Sequence, residues 1–300
     1  MANQPRLRQA QTDIKFYLLI FVLILMSCSS KKQIDIQGHR GCRGLLPENS
    51  LPAFEKAIDL GVHTLELDIA ITKNNEVVVS HEPFISRYIC FNPKGEEIPD
   101  SMDMKHNLYK MTHQDIKQFD CGSKFHPDYP NQEKLKTYKP LLAEVFELVK
   151  SKSSNVKFNI EIKSKPEYYG IYTPEPETYV KLVLDAIEKH NMFNRVNLQS
   201  FDLAILEEIK KQSPKMKVAL LVDDNETIST KLNKLSYKPE TISPYFKLLT
   251  EKEVVDYQYQ NFQIIPWTVN DTADMQQMID WQVDGIITDY PDQLIKLLQE

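Results

Sequence analysis

The sequence predicts an α/β fold in which parallel strands, each followed by a helix, close into a (β/α)8 barrel. Three observations lead there. From residue 33 onward, short β-like runs alternate with runs of helical periodicity, the order expected of a parallel sheet covered by helices. Eight strand candidates fall within about 250 residues, the number that closes such a sheet on itself. Two of the strands place polar residues at every second position between aliphatics, as a strand does when one side faces a polar lumen and the other a helix layer.

In order along the chain, the strand candidates are Ile34 to His39, Thr64 to Ile71, Glu76 to His81, Val156 to Ile162, Val196 to Phe201, Lys217 to Val222, Phe262 to Thr268 and Asp284 to Thr288. Between them, Leu51 to Leu60, Leu141 to Lys150, Pro176 to His190, Asp202 to Gln212 and Asp271 to Trp281 have apolar residues at helical spacing. Asn49 is expected to cap the first helix and Gly61 to stop it. The stretch 226–250 is polar and weakly patterned, so the strand count there stays open. Residues 82–139, with prolines at 83, 93, 99, 127 and 130, interrupt the alternation. A structureless loop of that length is rare inside a compact domain, so the segment reads as a small insertion after the third strand, near a functional face. One short helix is expected within it, where Thr112 and Asp115 have the spacing of a capping box.

Residues 1–27 read as an export signal rather than part of the fold. Arg6, Arg8 and Lys15 precede an eleven-residue apolar run, Phe16 to Met26, which is too short to span a bilayer but suits a signal-peptide core. Leu25-Met26-Ser27-Cys28 follows and resembles the bacterial lipoprotein box, which implies that Cys28 is lipidated and that residues 28–33 link a membrane anchor to the domain 34–300. An exported, membrane-anchored lipoprotein meets an oxidising compartment, so Cys90 and Cys121, both in the irregular insertion, are expected to pair, with Cys42 left as a packed thiol. The absence of any C-x-x-C pair argues against a zinc ribbon or a thioredoxin-like motif. A net charge of −6 argues against a nucleic-acid partner.

The candidate chemistry sits at strand ends. In Thr64-Leu65-Glu66-Leu67-Asp68-Ile69, Glu66 and Asp68 face one way and the aliphatics the other; Phe158-Asn159-Ile160-Glu161-Ile162-Lys163 repeats the pattern. Carboxylates two apart on one strand lie roughly 6–7 Å from each other along it, so Glu66, Asp68 and Glu161 could share a hard cation, Ca²⁺ or Mg²⁺ rather than zinc. An antiparallel sheet with one solvated face gives the same alternation, and the histidines shift the balance. His39, followed by Arg40 and Gly41, ends the first strand, and His81 ends the third. Two imidazoles, a guanidinium, the Lys163 ammonium and three acids are what phosphodiester hydrolysis requires: a proton acceptor, a proton donor and cations for the phosphoryl oxygens.

With these residues in place, the chain resembles the glycerophosphodiester phosphodiesterases. The resemblance is carried by His39-Arg40-Gly41, Pro47-Glu48-Asn49-Ser50, Glu66-Leu67-Asp68, His81 and Glu161-Ile162-Lys163, in that order, and by the later runs Gln199-Ser200-Phe201, Pro266 to Asn270 and Asp284 to Pro291. It implies a TIM-type barrel and hydrolysis of a small glycerophosphodiester to glycerol 3-phosphate and an alcohol. His39 and His81 become the acid/base pair, Glu66, Asp68 and Glu161 the metal ligands, and Arg40 and Lys163 the phosphate contacts. Trp267 becomes the aromatic lining the pocket; core packing is the alternative. Glu82 stands where the family has Asp, which puts its hold on His81 in question, and Ser50 replaces a threonine. Glu48 reads as a favourable charge at a helix start rather than a support for the site. His63, His106, His113, His126 and His190 read as solvated. A phospholipase-like barrel enzyme and a catalytically inactive surface-binding lipoprotein are the competing functions.

Overall fold

The structure, a computed structural model, describes residues 32–299. The Cys28 expectation therefore falls outside the described residues. Nine strands form one sheet: β1 (Asp35–Gly38), β2 (Thr64–Ile71), β3 (Val77–Val79), β4 (Lys157–Ile162), β5 (Val196–Ser200), β6 (Lys217–Val222), β7 (Thr241–Pro244), β8 (Gln263–Ile264) and β9 (Gly285–Thr288). Eight run parallel in the order β8-β7-β6-β5-β4-β2-β1-β9. Backbone bonds from Asp284 N to Ile264 O (2.8 Å) and from Ile287 N to Pro266 O (3.0 Å) join the last pair, so the ring closes.

Helices follow the strands on the outside: α1 (Leu51–Leu60), α2 (His113–Ile116), α3 (Leu142–Ser151), α4 (Pro176–Lys189), α5 (Leu203–Gln212), α6 (Ile228–Leu232), α7 (Glu251–Tyr259), α8 (Thr272–Asp280) and α9 (Pro291–Gln299). The two-residue period sorts each strand. Leu65, Leu67 and Ile69 of β2 are fully buried with Phe54, Val145, Phe146 and Tyr179 in the layer between barrel and helices, each worth about 1.5–3 kcal/mol of burial. Glu66 and Asp68 point the other way. In the lumen Asn159 Nδ2 donates to Gln37 Oε1 (2.9 Å) and Gln199 Oε1 (3.0 Å), and Gln199 Nε2 donates to Glu66 Oε1 (3.0 Å). In register Asn159 lies beside Glu66 and Gln199 beside Glu161, so these amides satisfy lumen groups that burial would otherwise leave unpaired.

Two expectations about the strands need correction. The third strand candidate is not a stave of the barrel: β3 pairs antiparallel with β2, Ile69 opposite Val79. The place it was counted for belongs to β7, hidden in the polar stretch 226–250 because only four residues, Thr241-Ile242-Ser243-Pro244, are needed to fill a gap between β6 and β8. The insertion does follow β3, but it separates the second and third staves of the ring. It has its own small core of Ile85, Cys90, Ile98, Leu108, Ile116, Phe119 and Cys121 against Ala70 and Val78. Cys90 and Cys121 are disulfide-bonded, and Cys42 is buried and free. Thr112 and Asp115 form the capping box.

The helix signals also differ in part. Ser50, not Asn49, caps α1 by accepting from Ala53 N, and Gly61 stops it in the left-handed conformation at φ 92°. His113 is buried with Nε2 3.0 Å from Lys139 O, so it is not solvated, while His63, its Nδ1 accepting from Ile36 N at 3.0 Å, is half-buried. His106, His126 and His190 are half-buried beside Phe119, Tyr129 and Glu147. Local sequence position says nothing of what the fold brings alongside each ring.

Candidate active site

The chain leaves β1 in a tight turn, with Arg40 at φ 50° and Gly41 at φ 90°. A Cβ on Gly41 would lie 2.8 Å from the Ala53 carbonyl carbon, so glycine lets the turn rest on α1. The turn aims Arg40 N at Glu66 Oε2 (2.9 Å) and leaves the Arg40 side chain between Glu48 Oε2 (Nη1, 2.8 Å) and Asp68 Oδ2 (Nε, 3.3 Å). Asn49, freed from capping, grips Asp68: its Nδ2 donates to Oδ2 (2.8 Å) and its Oδ1 accepts from the backbone N–H (3.2 Å). Glu48 is 6% exposed at its side chain and also meets Arg43 at 3.6 Å. It holds both guanidiniums in place, which corrects its reading as a helix-start charge. Burial would raise its pKa, but Arg40 and Arg43 bring it down to about 2.

The hairpin turns the chain back, and Ser80 N bonds Asp68 O at 2.9 Å, which returns His81 and Glu82 to the level of the carboxylates. His81 Nδ1 lies 2.8 Å from Glu82 Oε1, so the longer side chain still reaches the imidazole. His39 is arranged alike: Nδ1 lies 2.7 Å from Asp289 Oδ1, and Nε2 lies 3.9 Å from Glu66 Oε2. An ionised carboxylate only accepts, so in both rings the proton rests on Nδ1 and the Nε2 lone pair is the free one. Burial lowers the His39 pKa to about 4 against the pull of Asp289, and burial with Lys163 and Arg40 lowers that of His81.

Glu66, Asp68 and Glu161 are buried and offer oxygens within 4.8 Å of one another. In register Asp68 lies beside Glu161, with Glu66 one layer deeper. Lys163 Nζ sits 2.8 Å from Glu161 Oε1 and 3.2 Å from Asp68 Oδ1, which accepts no hydrogen bond despite its burial. Burial and the neighbouring Asp68 and Glu161 hold Glu66 well above the ordinary carboxylate range. Burial raises Glu161 to about 7 although Lys163 opposes it, while Lys163 and Arg40 overcome burial to hold Asp68 low. Three acids so close carry more negative charge than their two cations comfortably balance, and an oxygen-only donor set of this kind fits a hard divalent cation.

These groups line a cavity of about 330 Å³ together with Phe201, Leu221, Asp223, Trp267 and Ile287. Trp267 is half-buried at the wall, its Nε1 donating to Ser243 O at 2.9 Å, so it belongs to the pocket rather than to the enclosed core. All eight residues singled out within the described chain, His39, Arg40, Glu66, Asp68, His81, Glu161, Lys163 and Trp267, thus converge on one barrel mouth; Asp68 alone lies just behind the cavity surface. Reading the sequence missed Asp289, which accepts from Arg43 (2.8 and 3.0 Å), Tyr129 (2.8 Å) and Asn270 (2.7 Å) besides meeting His39. The available signal was its place one residue past a strand, as His39 is past β1, since β1 and β9 are paired with Gly38 opposite Thr288.

The model of the glycerophosphoryl diester phosphodiesterase family matches residues 39–293. The chain belongs to that family. It is an enzyme of the glycerophosphodiester phosphodiesterase class. A glycerophosphodiester phosphodiesterase of Caldanaerobacter subterraneus subsp. tengcongensis is 32% identical over 262 residues, covering 87% of this chain and 96% of that one. The crystal structure of a candidate glycerophosphoryl diester phosphodiesterase from Silicibacter pomeroyi aligns with a TM-score of 0.80 and 26% identity, over 89% of this chain and 94% of that one. A phosphodiesterase of Oleispira antarctica, solved with the product sn-glycerol-3-phosphate, shares the fold at a TM-score of 0.70 and 19% identity, over 89% and 97% of the two chains.

Proposed function

We propose that this glycerophosphodiester phosphodiesterase hydrolyses glycerophosphodiesters to glycerol 3-phosphate and an alcohol, with a divalent cation and two histidines. One observation carries the reading: a buried set of three carboxylates lies between two imidazoles that each turn Nδ1 to a carboxylate and leave Nε2 free. Glu66, Asp68 and Glu161 hold the cation, Mg²⁺ or Ca²⁺ by the hardness of its ligands. When bound, it polarises a phosphoryl oxygen and offsets the charge that builds there. Arg40 and Lys163, each already braced by carboxylates, bind the remaining phosphoryl oxygens. One imidazole accepts the proton of the attacking hydroxyl at Nε2 as the new P–O bond forms. The other, which must first take up a second proton at Nε2 to become imidazolium, donates that proton to the alkoxide as the old P–O bond breaks. Trp267 bounds the organic part of the substrate.

Export and anchoring through Cys28 belong to the same proposal, supported by the basic head and apolar core of residues 1–27 and by the Cys90–Cys121 bridge, which suits an oxidising compartment. On this proposal the enzyme acts on the periplasmic or cell-surface side of a bacterial membrane.

The test is release of glycerol 3-phosphate from a panel of deacylated phospholipids, with and without Ca²⁺ or Mg²⁺. Glu66→Gln, Asp68→Asn and Glu161→Gln should lose metal affinity and activity together, with partial rescue by excess metal. His39→Ala and His81→Ala should keep metal but lose roughly 10²–10⁴ in rate. A nitrophenyl ester, whose leaving group needs no proton, should rescue only the variant lacking the acid. Near-normal turnover in both histidine variants would overturn the mechanism, and amide variants with full metal affinity would overturn the site.

A further inference from the structure

A run of amides crosses the barrel lumen and ends on one of the three clustered carboxylates. At the start of β1, Gln37 Nε2 donates to Asp35 Oδ2 (3.1 Å), which leaves Gln37 Oε1 to accept from Asn159 Nδ2 (2.9 Å). At the other end Gln199 Nε2 donates to Glu66 Oε1 (3.0 Å), which leaves Gln199 Oε1 to accept from the same Asn159 Nδ2 (3.0 Å). Asn159 Oδ1 is engaged as well, accepting from Asn197 Nδ2 at 2.7 Å. Gln37, Asn159 and Gln199 are all buried, so solvent does not stand in for a lost partner.

The sense of the run is dictated from its ends. A carboxylate that holds a cation is ionised and only accepts hydrogen bonds, so Gln199 must turn its amide N–H to Glu66, as Gln37 turns its own to Asp35. Both glutamine carbonyls then face Asn159, and the side chain there has to donate two hydrogens from one atom. Asparagine does so; aspartate, of the same size, offers at most one hydrogen and leucine none. Released from Asn159, the Gln199 amide is free to turn over and set its carbonyl against Glu66. Glu66 Oε2 is held separately by Arg40 N (2.9 Å), so one N–H on each oxygen fixes the plane of this carboxylate. Gln199 lines the cavity and Asn159 does not.

We propose that Asn159 is a positioning residue of the metal site: acting through Gln199, it keeps an N–H on Glu66 and so sets that carboxylate to receive the divalent cation. The proposal rests on the reading of Glu66, Asp68 and Glu161 as metal ligands and adds to it the residue that orients one of them.

The experiment titrates Ca²⁺ or Mg²⁺ into the metal-stripped full chain by calorimetry, with circular dichroism to confirm the fold of each variant. Gln199→Met should weaken the Kd of the cation by roughly 10–100-fold. Asn159→Leu and the isosteric Asn159→Asp should weaken it in the same range, although Asn159 does not line the cavity and an added negative charge by itself would tighten binding. In the Gln199→Met background, Asn159→Leu should change Kd by less than about twofold, because the group it acts through is already gone. A merely structural asparagine would lower stability and leave Kd alone. A folded Asn159→Leu or Asn159→Asp protein with the parental Kd therefore overturns the proposal, as does tighter binding in Asn159→Asp or a full further loss in the double variant. Asn159→Asp keeps the side-chain volume and carries the test if the leucine variant does not fold. An unmutated protein that binds neither cation is a separate outcome: it overturns the metal reading, and the role of Asn159 falls with it.

Discussion

Replacing Asp289 by asparagine keeps the side-chain volume and removes its charge. In the native site this buried carboxylate meets His39, Arg43, Tyr129 and Asn270 at 2.7–3.0 Å. An amide has one accepting oxygen and turns an N–H toward groups that are themselves donors, so at least two of these bonds are lost. Arg43 keeps Glu48 at 3.6 Å as a partner, which puts the stability loss near the lower end of about 3–5 kcal/mol for breaking a buried pair. The catalytic loss has a different origin. An amide N–H facing Nδ1 favours the tautomer with its proton on Nε2, where His39 cannot accept one from the cavity; kcat should fall on the order of 10²–10⁴. Metal affinity should hold, because Asp289 is not among the carboxylates of the triad. Tyr129→Phe, which removes a single donor, should cost about 1 kcal/mol and change kcat far less. Urea denaturation, metal titration and kcat on glycerophosphocholine separate these effects. Burial would raise the pKa of Asp289, but His39 and Arg43 hold it well below the ordinary range. Its contribution to stability is therefore whole above pH about 4 and is lost as pH falls through the native value, so the gap between variant and parent should close only in acid. A folded Asp289→Asn enzyme within about threefold of the parent kcat would refute the tautomer argument.

Glu48→Gln should destabilise the protein by about 3 kcal/mol at neutral pH, the linkage value of a pKa lowered from 4.5 to about 2, and urea melts should show the deficit shrinking as pH falls from 4.5 toward 2. Opening the Cys90–Cys121 bridge by a double alanine substitution frees a loop of 31 residues' separation and should cost about 3–4 kcal/mol, read by thermal unfolding with and without reductant. Glu82→Gln should lower kcat by roughly tenfold, less than Asp289→Asn, because His81 and Glu82 are about a third exposed and water can replace the bond. Cys28→Ser should abolish lipid labelling and membrane partitioning; unchanged labelling in that variant excludes the anchor.

The parts of this protein legible in its sequence are those governed by local period. Glu66, Asp68 and Glu161 were placed in the lumen because side chains two apart on a strand share a face, and the aliphatics between them find the helices for the same reason. The His-Arg-Gly turn, the Gly61 stop and the Thr112 capping box are likewise encoded within a few residues. What only the tertiary structure decided depends on which strand lies beside which. β3 looks like a barrel strand in composition, yet it folds back on β2, and the short β7 joins the ring because β6 and β8 flank it. Asp289 is 250 residues from His39 and meets it only because the last strand pairs with the first; Glu48 becomes a brace for two arginines only once the turn after β1 folds over it. Asp223 likewise becomes one wall of the pocket only when ring closure sets β6 opposite β1. Side-chain direction along a strand is a local property of the chain, whereas the partner across the barrel is set by closure of the whole ring.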